Sequence, residues 1–119
     1  MKKYTDHLNP TFNLMYLESS DQSNNYEKQI RRNNYNWNNC CSICGKWTPR
    51  PTNHFYMVLG GGYYCHPDHI EYYYHNDAGL IGVQPVGSEC AKQISDELKE
   101  FLVRSDSFDF LKELNNDTS

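Results

Sequence analysis

Three cysteines stand at spacings that suit a metal ion. Cys41 and Cys44 enclose two residues and are followed by Gly45, and Cys90 closes the run Gly87-Ser88-Glu89-Cys90. Two intervening residues let both sulfurs of a tight turn reach one ion, and the glycine lets the backbone fold back with its amides toward sulfur. Cys90 falls in the first turn of an expected helix, where free amides and the helix dipole favour a thiolate. One structural zinc ion held by Cys41, Cys44 and Cys90 would tie the knuckle to that helix.

A second helical ligand one turn further on is missing, because Gln93 and Ile94 occupy those positions. The fourth donor must come from elsewhere. His54 is favoured, Cys65 and His66 are the alternatives, and His69 is a weaker one. Cys40 reads as a bystander. A redox dithiol is the rival for a C-x-x-C pair, but it wants a helix directly after the motif. Lys46-Trp47-Thr48-Pro49-Arg50-Pro51 cannot supply one.

Other reactive groups cluster at Cys65-His66-Pro67-Asp68-His69. Neighbours on a strand point to opposite faces, so Cys65 and His66 are not placed to act as a pair. His66, His69 and His75 are too loosely arranged for a histidine-metal nuclease, and no nucleophile, base and orienting group can be assembled. Gly60-Gly61-Gly62 lacks the Lys-Ser/Thr of a phosphate loop. A binding protein is expected rather than an enzyme, with metal- or Cys/His-dependent catalysis as the distant alternative.

The elements that must position these residues follow from the pattern. Residues 55–59 read as a strand, 60–62 as a turn and 63–64 as the start of the return strand of a hairpin. Further strands are expected at 71–74 and 80–86. From Ser88, taken as the cap, the period changes: Ala91, Ile94, Leu98, Phe101 and Leu102 share one helical face. A second short helix is expected with Phe108, Leu111 and Leu114 as its stripe, capped by Ser105 or Ser107. Residues 12–17 form an isolated apolar cluster suited to a strand or short helix, and 18–39 are rich in Asn, Ser and charge, a composition of turns and disorder. The expected organisation is a partly flexible Asn-rich arm over 1–39 and a zinc-binding α+β domain over 40–119.

The knuckle, residues 54–58 and the segment Pro85-Val86-Gly87-Ser88-Glu89-Cys90-Ala91-Lys92 together resemble small uncharacterised bacteriophage and prophage proteins with a C-x-x-C-G knuckle, a hairpin and a terminal Gly-Ser-x-Cys-Ala-Lys segment. The resemblance covers 40–94. It implies a treble-clef-like zinc module and a phage or mobile-element origin, and it implies no known activity.

With 119 residues, 38% apolar residues and a mean hydropathy of -0.84, the chain has little to bury, so a metal staple would help it fold. Five cysteines, an odd number, and an N-terminal stretch without an apolar core favour free thiols in a cytoplasmic protein, the host cytoplasm if phage-encoded. No apolar run is long enough to cross a bilayer. A net charge of -4 disfavours phosphate over the whole surface. Residues 94–119 alone carry seven acids against three bases. A nucleic-acid patch built from Arg31, Arg32, Lys46, Trp47 and Arg50 is therefore the second choice. Ten tyrosines and two tryptophans supply amphipathic anchors of the kind found at protein interfaces. The expected partner is a host or phage protein, met through Tyr72, Tyr73 and Tyr74 and by Tyr35 and Trp37, with the chain acting as a regulator or inhibitor.

Overall fold

A continuous run of apolar residues along 55–59 gives a strand with two buried faces. In a computed structural model describing residues 1–49, 51–76 and 80–105, it is the central strand β3, His54–Leu59. Its antiparallel neighbours are β5, Leu80–Val86, paired from His54↔Val86 to Leu59↔Leu80, and the short β4, Tyr64–Cys65, paired at Val58↔Tyr64. The sheet continues through β2, Asn13–Tyr16, to β1, Lys2–Thr5, in the order β1-β2-β4-β3-β5. A strand not foreseen, β6 at Val103–Arg104, pairs with β3 at His54 and Phe55. The chain is thus α+β, with an all-antiparallel sheet.

Each sheet face carries its own core. Tyr56, Tyr64, Met15 and Val86 point to one face and pack with Cys41, Ile43, the helical residues Ala91 and Leu98, and Phe101 just after the last helix. Phe55, Met57, Cys65 and Val83 point to the other and pack with Ile70 and Tyr73. The cysteine knuckle and the helices that follow β5 cover the first face, and α2, Ile70–His75, covers the second.

Several elements differ from expectation for identifiable reasons. Residues 71–74, expected as a strand, lie in α2. Pro67 opens a 3-10 turn there, and the His66 Nδ1 atom accepts the Asp68 amide at 3.1 Å. The tyrosines continue that turn into α2, burying Ile70 and Tyr73 three residues apart. The single helix expected from Ser88 is two, α3 at Ser88–Gln93 and α4 at Asp96–Glu100. Ile94 is extended, and Ser95 caps α4 by accepting the Leu98 amide on its hydroxyl at 3.3 Å. Gly87, rather than Ser88, holds the N-cap position of α3. The expected helix bearing Phe108, Leu111 and Leu114 lies outside the described residues.

Residues 1–39 are the stretch expected as a partly flexible arm. They supply β1, β2 and the helix α1, Tyr26–Arg32, and bury Met15 and Ile30 almost completely. Few residues are buried, but each is an anchor. Phe12, Leu14 and Leu17 pack against the two cores, β2 pairs with β4, and the remaining attachment is polar and runs to the knuckle.

Candidate metal centre

The knuckle is a small hairpin closed on itself. Cys40 bridges Trp47, the Cys41 amide donates to the Lys46 carbonyl at 2.8 Å, and the Gly45 amide donates to the Cys41 carbonyl at 2.8 Å. This turn needs a left-handed residue at 45, and Gly45 has φ +77°. The hairpin is held against β5 by the Ser42 amide, which donates to the Pro85 carbonyl at 3.0 Å. Cys90 meets it from the first turn of α3.

The three sulfurs of Cys41, Cys44 and Cys90 lie within 4.8 Å of one another, the one such group of potential ligands among the described residues. Tetrahedral zinc with bonds of about 2.3 Å sets its sulfurs about 3.8 Å apart, so these thiols need only a small closure around an ion. Cys41 is fully buried, and Cys44 and Cys90 are half-buried. Backbone amides surround the innermost sulfur: those of Ile43 and Gly87 donate to Cys41 Sγ at 3.4 and 3.2 Å.

The electrostatics follow from that arrangement. Donation from the Cys44 thiol and from the amides of Gly87, Cys44 and Ile43 outweighs burial and holds the Cys41 thiol down to about 5. Cys44, the donor to that thiolate, is shifted up, with burial adding to the shift. Cys90 is shifted up by burial and by the negative charge of Cys41. Three soft donors with one thiolate already formed can bind a metal ion. The chemistry of the donor set therefore fits a thiophilic metal.

The other sequence candidates are dispersed. Cys65 packs on the opposite sheet face with Phe55 and Met57, and burial pushes its thiol up to about 12. His66 lies edge-on to Phe101 at 5.4 Å and near Glu100 at 3.7 Å, and His69 stacks on Phe12 at 4.0 Å. His54 pairs with Val86, the residue before Gly87, on the sheet face that carries Tyr56 and Cys41. It is not within the 4.8 Å group of the three sulfurs. Cys40 is buried beside the knuckle and is likewise outside that group.

The tyrosine insertion is less exposed than its composition suggests. Tyr73 is buried and its hydroxyl donates to Asp6, Tyr72 packs edge-on to Phe12 at 5.2 Å, and Tyr74 is half-buried. A partner cannot reach Tyr73 without opening the core. Tyr35 and Trp37, by contrast, are 49% and 62% exposed.

Sequence reasoning missed how residues 22–33 clasp the knuckle. The Gln22 side chain donates to the Ser42 carbonyl at 2.9 Å, the Ser23 amide to Ile43 at 2.9 Å, and the Asn33 side chain to Gly45 at 3.3 Å. The signal was present in Tyr26 and Ile30, four residues apart within the Asn-rich stretch.

No protein-family model, curated protein or solved structure matches the chain. Among the described residues no helix is long and apolar enough to cross a membrane.

Proposed function

We propose that the chain is a zinc-holding module that acts by binding a protein, as a phage-encoded regulator or inhibitor of a host factor. The observation that carries this reading is the Cys41, Cys44 and Cys90 cluster, set where the knuckle, β5 and α3 meet. Zinc would supply structural cross-linking there, in a chain with a small core. The order of knuckle, β3 with β5, then α3 is that of a treble clef, with β4 and α2 inserted between the two long strands. His54 remains the proposed fourth ligand, since it shares the face of the cluster while Cys65 does not. The phage origin rests on the resemblance of the knuckle and of residues 85–92, and the reduced thiols suit a cytoplasmic setting.

Metal analysis of purified protein should find about one zinc per chain, lost in Cys41→Ser, Cys44→Ser and Cys90→Ser but not in Cys40→Ser. Of His54→Ala, Cys65→Ser and His66→Ala, only His54→Ala should match the ligand variants. Folded, reduced protein with far less than one equivalent would refute the metal reading. Immobilised zinc-loaded protein should capture a host protein, and binding to duplex DNA, (dT)12 or RNA at low salt with no protein captured would favour the nucleic-acid alternative.

A further inference from the structure

Of the three sulfurs that meet at the knuckle, one faces open space. A cleft of about 520 Å³ runs between residues 20–23 and the junction of α3 with α4, and Cys90 is in its lining with Asp21, Ser23, Gln93 and Ser95. Neither Cys41 nor Cys44 is in that lining. Cys41 is fully buried, and its sulfur accepts the amides of Ile43 and Gly87 at 3.4 and 3.2 Å. Cys40 and Cys65 are also fully buried, Cys65 on the opposite sheet face. A reagent that enters the cleft from solvent therefore meets Cys90 first.

The cleft suits a small peptide-like molecule. Its size falls in the ordinary range of small-ligand sites. The hydroxyls of Ser23 and Ser95 each accept a backbone amide, of Asn25 and Leu98, and so keep their protons to donate to a ligand carboxylate or carbonyl. The acid in the lining, Asp21, is paired with the Met1 ammonium at 2.8 Å, so an anion is not turned away.

A second thiol stands close enough to complete a reaction begun at Cys90. The sulfurs of Cys41, Cys44 and Cys90 lie within 4.8 Å of one another, so closing any pair to the about 2.05 Å of a disulfide takes a movement of less than about 3 Å. Cys44 is the freer of the two neighbours. It is half-buried, and turning toward Cys90 gives up only its donation to Cys41, whereas Cys41 would give up two backbone bonds.

We propose that Cys90 is a thiolation site for a low-molecular-weight disulfide of the glutathione type and that Cys44 resolves the adduct, so that the cluster exchanges a metal cross-link for a covalent one. The Cys90 sulfur attacks one sulfur of the small disulfide and loses its proton to the departing thiolate, which gives a mixed disulfide and one free small thiol. Cys44 then attacks the Cys90 sulfur of that adduct, forming the Cys44–Cys90 bond and releasing the second small thiol. Two protein thiols are oxidised, one small disulfide is reduced to two thiols, and no other reagent is consumed. The new bond joins the knuckle to α3, as an ion would, and leaves Cys41 reduced. This rests on the reading of the three thiols as one metal-holding site and adds which sulfur reacts.

The test treats zinc-loaded and chelated protein with glutathione disulfide in the absence of oxygen and maps the products by timed alkylation and peptide mass spectrometry. Cys90 should carry the first glutathione, at least tenfold faster than Cys40 or Cys65 and more slowly in the zinc-loaded form. A Cys44–Cys90 disulfide should follow, with two glutathione thiols released per chain and zinc set free. Oxidised zinc-free protein should melt above reduced zinc-free protein, and dithiothreitol should reverse the difference. Gln93→Trp, which fills the cleft and alters no thiol, should slow the first step at least tenfold with zinc content unchanged, and Cys44→Ser should halt the reaction at the Cys90 adduct. A first adduct on Cys41 or Cys44, a Cys41–Cys44 bond as the product, or a rate untouched by Gln93→Trp would overturn the proposal. The same adducts in protein that binds no zinc would uphold Cys90 and sink the metal reading. Protein that binds zinc but whose chelated form leaves Cys90 unreactive would do the reverse.

Discussion

Gly45 joins the metal centre to the folded N-terminal region, and replacing it with alanine tests that joint. A Cβ at 45 would lie 2.7 Å from the Tyr26 carbonyl oxygen, 3.0 Å from the Ile30 nitrogen and 3.2 Å from the Gln29 Cβ, at φ +77°. The left-handed backbone alone costs an L-residue about 1 to 2 kcal/mol. Overpacking against backbone, which cannot rotate away, adds about 1 to 3 kcal/mol, while the lower unfolded-state entropy of alanine returns about 0.4 to 1 kcal/mol. The net expectation is a loss of roughly 1 to 4.6 kcal/mol, or about 4 to 25 °C in Tm for a domain of this size. Gly62→Ala is the control, since φ there is +83° but the nearest atom to its Cβ is a tyrosine ring carbon at 3.6 Å. It should cost only the backbone part. Urea or thermal unfolding of zinc-loaded protein, followed by chelator competition, measures both. If Gly45→Ala proves no more destabilising than Gly62→Ala, the seating of α1 on the knuckle is wrong.

Two further outcomes follow from the buried groups. Timed alkylation with mass spectrometry should find the zinc-loaded thiols slow to react. After mild chelation Cys44 and Cys90 should label before Cys65, whose thiol burial pushes up to about 12, and equal labelling of all three would contradict the placement of Cys65. The Asp6 carboxyl is shifted down from 3.8, chiefly by the hydrogen bond from Tyr73. A depressed folded-state value contributes stability above the unfolded value that is lost as pH falls through the folded one. Wild type should therefore exceed Asp6→Asn in Tm at neutral pH and converge with it at strongly acid pH. A constant difference across that range would refute the linkage.

The cysteine cluster was legible because its evidence is local: spacing of two residues, a following glycine, and a cysteine after a helix start. β3 and β5 were legible for the same reason, as bounded runs of apolar residues. Residues 71–74 were misread because their tyrosines favour strands by propensity, whereas the turn begun at Pro67 and the contacts of Ile70 and Tyr73 with the sheet impose a helix. The break at Ile94 was missed because the apolar stripe from Ala91 to Phe101 is continuous even though the backbone is not, Ser95 restarting the helix with a new cap. The helix within residues 18–39 was not legible because composition describes burial, and this segment is held mainly by hydrogen bonds to the knuckle. Those bonds have no sequence period.

That mode of attachment makes metal binding and the seating of α1 interdependent. Gln22, Ser23 and Asn33 donate to the carbonyls of Ser42, Ile43 and Gly45, all within or beside the C-x-x-C turn. Ile30 is the fully buried side chain of α1, so burial alone gives that helix about 1.5 to 3 kcal/mol, too little to hold seven residues against chain entropy. The acceptors are held by the knuckle's own hydrogen bonds, by the bond of Ser42 to Pro85 and by the packing of Cys41 and Ile43, and a thiol-bound ion at Cys41 and Cys44 would fix them further. β3 is anchored independently through six register pairs with β5. Removing zinc should then raise hydrogen exchange at the amides of Asn33, Asn34 and Tyr35 before it raises exchange along β3, as a local opening rather than global unfolding. If the amides of β3 and of 33–35 open together, or if 33–35 stay protected after zinc is gone, the ion does not hold α1 and its following turn in place.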